Sequence, residues 1–427
     1  VREIHYDSLQ LTLYRDVLDN GLVVYLLPKA GFQQTFASFT TKYGSIDSQF
    51  RLAHQPQVIT VPDGIAHFLE HKMFEKERGD VFPEFAKLGA SANAFTTFDQ
   101  TTYLFSSTDH VLENTEVLLN FVQEPWFSEQ SVEKEKGIIG QEIRMYDDNP
   151  DWQVFFNLLR ALYKHHPVHL PIAGTVESIA GITPDILYTC HETFYHPSNM
   201  MFFAVGGFHP EALLAHIRKN QAAKSFGPAP AIDRVLPEEP GPVSEPNRTV
   251  HLGVSQPRCL MGWKDAKTGL SGPAQLAQEM LTGVVLEALF GKSSDFYHRL
   301  MDAGLIDQNF SWEYECAPTY GYSVLGGNTP NPQALVDTVQ SLIDEAMKIG
   351  VSEEAFERSR RKAIGRFIAT LDSPGAVARS FVSYALRGAD VFTTIDVLER
   401  LTLQQVNDRL REHFAESQRA VSVVLPA

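Results

Sequence analysis

Residues 128–150 read SEQSVEKEKGIIGQEIRMYDDNP, and residues 352–374 read SEEAFERSRRKAIGRFIATLDSP. Both stretches open on Ser-Glu, place an acid and a base at the same two positions (Glu133-Lys134 and Glu357-Arg358), and close on Asp-x-Pro. A serine followed by acids starts a helix and a proline ends one, so each stretch predicts a helix of the same extent. Upstream lies a second echo, Leu69-Glu70 in one half and Leu286-Glu287 in the other. The shared order of helix, extended segment, helix and acid-opened helix predicts an internal duplication. Between the copies, prolines at 228, 230, 237, 240, 242 and 246 alternate with acidic and small residues. Such a composition is extended and semi-rigid. It divides the chain into a first body at residues 1–225, a Pro-rich linker at 226–246 and a second body at 247–427.

Each copy mixes strand and helix signals. Leu18 to Leu26 carries Asn20-Gly21 ahead of a β-branched run and reads as a hairpin. Ala94 to Ser106 is rich in Phe, Thr and Tyr and reads as extended chain with a turn near Asp99-Gln100. Val111 to Val122 and Val132 to Tyr146 show helical apolar spacing. The expected fold is α+β: two duplicated domains, each a mainly antiparallel sheet packed with helices, joined by the Pro-rich linker.

Composition narrows the function. The 427 residues carry 36 Lys plus Arg against 52 Asp plus Glu, a net charge of −16. Nucleic-acid affinity depends on clustered positive charge, so no nucleic-acid partner is expected. The one basic run, Arg358 to Lys362, falls in a predicted helix and reads as a solvated face. No apolar run reaches the length of a membrane span, and Val1-Arg2-Glu3-Ile4-His5 lacks the apolar core of a signal peptide. Cys190, Cys259 and Cys316 lie far apart without C-x-x-C spacing, as expected of buried thiols in a reducing, cytoplasmic compartment.

The chemistry-bearing constellation is Gly64-Ile65-Ala66-His67-Phe68-Leu69-Glu70-His71. On a helix, His67 and His71 at i and i+4 project from one face, a spacing that brings two imidazoles to one zinc ion. Glu70 shares that face and can reach a water held there. The order is H-x-x-E-H, the inverted arrangement of zinc peptidases. A chance pair looks different: His165 and His169 have the same spacing, but Pro167 interrupts a helix and Val168 stands at the glutamate position. A catalytic zinc needs a third protein ligand and an open position. Glu135 and Glu142, seven residues apart on one predicted helix face, are both candidates.

The duplication supplies an internal control. In the second copy His67 maps to Val284, Glu70 to Glu287 and His71 to Ala288, while Glu135 maps to Ser359 and Glu142 to Arg366. One copy holds every candidate ligand and the other holds none, so one zinc per chain is expected, in the N-terminal catalytic domain. The second domain is then a degenerate copy without a metal site.

These motifs resemble the insulinase and pitrilysin family of zinc peptidases, which includes mitochondrial processing peptidase. The resemblance covers nearly the whole chain: Gly64 to His71, then Asn93-Ala94-Phe95-Thr96 with Thr102-Tyr103, then Glu135 through Glu142. The length looks like the half-size bacterial branch, in which two chains form one closed chamber. The resemblance implies His67, His71 and Glu142 as zinc ligands, Glu70 as general base, and Glu135 as a second glutamate supporting the site. It implies that Asn93, Ala94, Phe95 and Thr96 form an edge strand holding an extended peptide through main-chain hydrogen bonds.

One departure bears on partners. Family members that work alone carry an arginine and a tyrosine seven residues apart around a Gly-Leu in the second domain, and these help stabilise the oxyanion. Here the tyrosine position reads Asp307 and the arginine position falls at Leu300 or Met301, with Arg299 one residue away. The expectation is a heterodimer, in which a related chain without the zinc motif supplies the Arg/Tyr pair; a homodimer would bring no such pair unless His298 or Arg299 stands in. The expected function is a zinc-dependent endopeptidase acting on short or unfolded peptides. The alternative is a non-catalytic assembly or peptide-binding subunit.

Overall fold

The computed structural model describes residues 1–427 apart from 53–54. In the first half, β1 (Arg2–Tyr6), β2 (Leu11–Val17), β3 (Val23–Pro28), β4 (Thr35–Thr41), β5 (Ser91–Thr96), β6 (Thr101–Ser107) and β7 (Met200–Gly206) form one sheet. Their spatial order is β1-β2-β3-β7-β4-β6-β5. Every neighbouring pair is antiparallel except β3 with β7. The expected hairpin is β2–β3, closed by Gly21 at φ +88°. A Cβ there would lie 2.8 Å from that of Ser198, so glycine serves both the turn and the close approach.

The second half contributes β8 (Asn247–Leu252), β9 (Arg258–Lys264), β10 (Ser311–Cys316), β11 (Gly321–Asn328) and β12 (Arg419–Pro426), in the order β8-β12-β9-β11-β10. Here β8 and β12 are parallel and the remaining neighbours antiparallel. Counting β3 as the first strand of its copy, both sheets run 1-5-2-4-3 with the same directions, as a duplication requires. β1 and β2 extend only the first sheet.

The helices repeat as well. The first half carries α1 (Ile65–Met73), α2 (Val111–Gln123), α3 (Glu129–Asp147) and α4 (Pro150–Leu162). The second carries α5 (Gly272–Phe290), α6 (Pro332–Ile349), α7 (Glu353–Thr370) and α8 (Pro374–Leu386). The two stretches quoted at the outset are α3 and α7 with their caps. Ser128 and Ser131 exchange N–H···Oγ bonds at 3.2 Å, and Ser352 Oγ accepts from the Ala355 N–H at 3.2 Å. Each is followed by a proline at the first turn of the next helix, behind Asn149 in one copy and Ser373 in the other.

The compact units differ from the continuous division at 225 and 247. One comprises residues 1–143, 171–236 and 371–386; the other comprises 144–170, 237–370 and 387–427. Each copy has thus given the helix after its long acid-opened helix to the other sheet. α4 packs on β9 and β12, where Gly262 leaves room: a Cβ there would lie 2.9 Å from Leu158. α8 packs on β4 and β7, with Phe381 stacked 4.5 Å from Phe203 and edge-on to Tyr25 at 4.9 Å. The Pro-rich segment is divided between the units at residue 236, and its Glu239 accepts the N–H groups of Lys164, His165 and His166. All three cysteines are free and buried. Among the described residues no helix is long and apolar enough to cross a membrane.

Candidate active site

α1 starts at Gly64, whose φ is +90° and whose added Cβ would lie 2.3 Å from the Ala173 carbonyl oxygen. Only glycine allows the helix to start there. Ile65, Ala66, Phe68, Leu69 and Met73 are buried and anchor the helix. The opposite requirement of period 3.6 then puts His67, Glu70 and His71 together on the remaining face. Their rings meet directly, with the His67 and His71 centroids 4.6 Å apart.

α3 brings its acids to this face. Glu142 Oε1 lies 3.6 Å from His67 Nε2, and Glu142 Oε2 lies 3.5 Å from His71 Nε2. Among the described residues these three form the one group whose ligand atoms all lie within 4.8 Å of each other. Tetrahedral zinc with bonds of about 2.0–2.1 Å separates its ligand atoms by about 3.4 Å. Two imidazole nitrogens and a carboxylate at these spacings therefore fit zinc, with a fourth position left open.

Glu135 stands elsewhere. Its Oε1 is 3.0 Å from His71 Nδ1 and accepts that N–H, while the ring's other nitrogen, Nε2, is the one on the side of Glu142. The imidazole of His71 lies between the two glutamates. Glu135 touches the ring at Nδ1 and lies outside the group formed by His67, His71 and Glu142. His67 Nδ1 is buried without a hydrogen-bond partner.

Electrostatics suit the arrangement. Burial, with His71 alongside, pushes His67 down to about 4 against the charges of Glu142 and Glu135, so its imidazole is neutral and able to ligate. Burial acts against charge on His71 too, but the Glu135 hydrogen bond and the surrounding carboxylates outweigh it and raise its pKa. Burial raises the Glu70 carboxyl, opposed by a hydrogen bond from Thr96. That bond, from Thr96 Oγ1 to Glu70 Oε2, is 2.6 Å long.

β5 is the last strand of its sheet, and among the described residues no other strand pairs with its outer edge. Asn93, Ala94, Phe95 and Thr96 all lie on it. Ala94 and Thr96 share the face toward α1, while Phe95 points to the other face, where it lines a small void with Phe36, Leu104 and Val382. Phe95 can therefore meet an added strand only through its main chain. A cavity of about 530 Å³ opens between this edge, α1 and α3. Glu70, His71, Phe74, Phe82, Ala94 and Ile138 contribute to its lining, and Phe74 stacks on Phe82 at 4.3 Å. Sequence reasoning missed the Thr96 hydroxyl and this apolar wall. Phe74 was within reach, since it stands three residues after His71 on the motif face.

Leu300 is fully buried in the second unit's core and Met301 packs against it. Arg299 is paired to Glu345 at 3.0 Å, and Asp307 accepts from the Asn309 N–H and from Asn328.

Comparison with known proteins bears on the family. The family model described as Insulinase (Peptidase family M16) matches residues 61–176, and that described as Peptidase M16 inactive domain matches residues 181–363. The uncharacterized zinc protease YmfH of Bacillus subtilis is 47% identical over 426 residues, covering 100% of this chain and 99% of its own. The crystal structure of an M16-like peptidase from Alicyclobacillus acidocaldarius superposes with a TM-score of 0.95 at 45% identity, over 99% of this chain and 100% of that one. The β subunit of the mitochondrial-processing peptidase of Caenorhabditis elegans is 23% identical over 85% of this chain and 81% of its own. With similarity of this strength running from end to end, the chain belongs to the insulinase family of peptidases, family M16.

Proposed function

We propose that this chain is a zinc-dependent endopeptidase that hydrolyses short or unfolded peptides laid along the outer edge of β5. The observation that carries the reading is the convergence of His67, His71 and Glu142 at zinc-ligand spacing beside the buried Glu70. His67 Nε2, His71 Nε2 and one Glu142 oxygen would hold the ion, and Glu135 would orient His71 from behind. Zinc bound there supplies Lewis acidity, acidifying a water and polarising the scissile carbonyl. Glu70 accepts the water's proton and returns it to the leaving amine nitrogen, a transfer its raised carboxyl pKa favours. The backbone of Asn93–Thr96 holds the peptide extended by strand addition, which reads main chain more than side chain.

The partner in this reading is a related chain that carries the Arg/Tyr pair and no zinc motif, closing a chamber as a heterodimer. It is supported by the commitment of Arg299 to Glu345 and the burial of Leu300. A cytoplasmic location is supported by three buried, unpaired thiols.

Elemental mass spectrometry of the purified chain and of His71→Ala tests the proposal. The expected result is about one zinc per chain, lost in the variant. Absence of zinc after metal addition and dialysis would overturn it, and the peptide-binding subunit would become the better reading.

A further inference from the structure

The face of β5 that carries Thr96 adds a component to the site. We propose that Thr96 is a positioning residue for Glu70: its hydroxyl fixes one carboxylate oxygen so that the other is the one presented to the reaction. This deepens the proposed function and rests on the reading of Glu70 as general base.

A threonine hydroxyl has a single proton to give. Thr96 Oγ1 lies 2.6 Å from Glu70 Oε2, which makes the carboxylate its acceptor. Among the described residues the other acceptor within reach is Thr101 Oγ1 at 3.4 Å, a much longer contact than the one to the carboxylate; the Thr101 proton itself goes to the Tyr43 carbonyl at 2.9 Å. Glu70 Oε1 makes no hydrogen bond to any described residue, while Glu70 lines the cavity beside His71. The two oxygens are therefore inequivalent, one pinned and one free.

The pin is itself rigid. Thr96 pairs with Thr101 in the β5–β6 ladder, and the next residue closes the turn through Thr97 N–H to the Gln100 carbonyl at 2.8 Å. The β-branched side chain has a restricted χ1, so the hydroxyl's direction is set by the sheet. Glu70, by contrast, has three rotatable bonds and no other polar restraint. A reactive group misplaced by about 1 Å can lose about 100-fold in rate, so a hydroxyl that removes this freedom matters to turnover. The same strand would carry the peptide, which ties the position of the base to the position of the bound backbone.

The test compares Thr96→Val, which keeps shape and loses the hydroxyl, with Thr96→Ser, which keeps the hydroxyl. Turnover of an unstructured peptide by the zinc-loaded chain with its partner, zinc content, and the crystal structure of each variant are measured. For Thr96→Val the expected result is a kcat lower by about 10–100-fold, KM within about 3-fold, unchanged zinc, and Glu70 in more than one rotamer. Thr96→Ser should return to within about 3-fold of the original kcat with a single Glu70 rotamer. A Thr96→Val chain with full kcat and an unmoved Glu70 would overturn the inference. So would a Thr96→Ser chain as impaired as Thr96→Val, since packing would then be the cause. If the unaltered chain binds zinc and cleaves nothing, the peptidase reading fails separately, and the Glu70 rotamers still decide whether Thr96 positions it.

Discussion

The two copies keep a glutamate at the same point of the same helix and surround it with different neighbours. In the first copy Glu70 stands on α1 beside His67, His71 and Glu142, a donor set shaped for a dication. In the second, Glu287 on α5 is 4% exposed and faces α7, where Lys362 and Arg366 both pair with it. Arg366 occupies the place of Glu142, while Val284 and Ala288 replace the histidines and sit in the core. A carboxylate has its counterpart in a guanidinium, and in the proposed function the charge of a bound ion in the first copy corresponds to two side-chain cations in the second. The helix pair thus places an acid between two helices in both copies, and the neighbours of that acid differ completely. The sharpest test substitutes both acids alike. Glu70→Gln should keep zinc and lower peptide turnover by about 10³-fold or more, because the proton acceptor is gone. Glu287→Gln should leave turnover within about 3-fold of the original. Equal losses from both would break the comparison.

The second copy's ion cluster makes a prediction about stability. Changing Lys362 and Arg366 together to Met strands a buried carboxylate, and breaking such a cluster costs about 3–5 kcal/mol. The figure sits toward its lower end here, because Arg366 is half exposed and its pairing is screened by solvent. Adding Glu287→Met to the pair removes the stranded charge and should recover most of the loss, since apolar replacement of a whole ion cluster is often neutral. Urea unfolding followed by tryptophan fluorescence measures all three chains, Trp263 being buried in this unit. If the triple variant is no more stable than the double, the cations serve something other than neutralising Glu287.

What the sequence made legible follows from the range of the forces involved. The H-x-x-E-H face was readable because one turn of helix fixes it, and the duplication was readable because caps and prolines repeat at a constant offset. The 1-5-2-4-3 strand order was beyond it, since pairing depends on contacts between residues far apart in the chain. The exchange of α4 and α8 was hidden for the same reason, resting on a glycine at 262 and on aromatic contacts of Phe381. The compact units therefore depart from the continuous division at 225 and 247, because each helix packs on the sheet that has room for it. Glu135 and Glu142 could not be told apart by spacing, as both lie on one face. Seven residues of helix rise about 10 Å, enough to put them on opposite sides of one imidazole. The Thr96–Glu70 bond joins residues 26 apart through the sheet, and no local pattern announces it.

The smallest effect concerns Glu135, whose counterpart Ser359 is buried in the second copy. Replacing Glu135 by Ser gives the first copy the second copy's residue while leaving His67, His71 and Glu142 intact. His71 Nδ1 then loses the carboxylate that accepts its proton at 3.0 Å, and with it the restraint on ring orientation and tautomer. Loss of such a partner to a metal-binding histidine typically weakens metal affinity by about 10–100-fold. Competition with a graded series of chelators should therefore show a weaker but still single zinc per chain. Retention of full affinity would mean that packing alone holds the ring, and loss of all zinc would place Glu135 in the donor set beside Glu142. Either result would redraw the line between the working copy and the retired one at α3 rather than at α1.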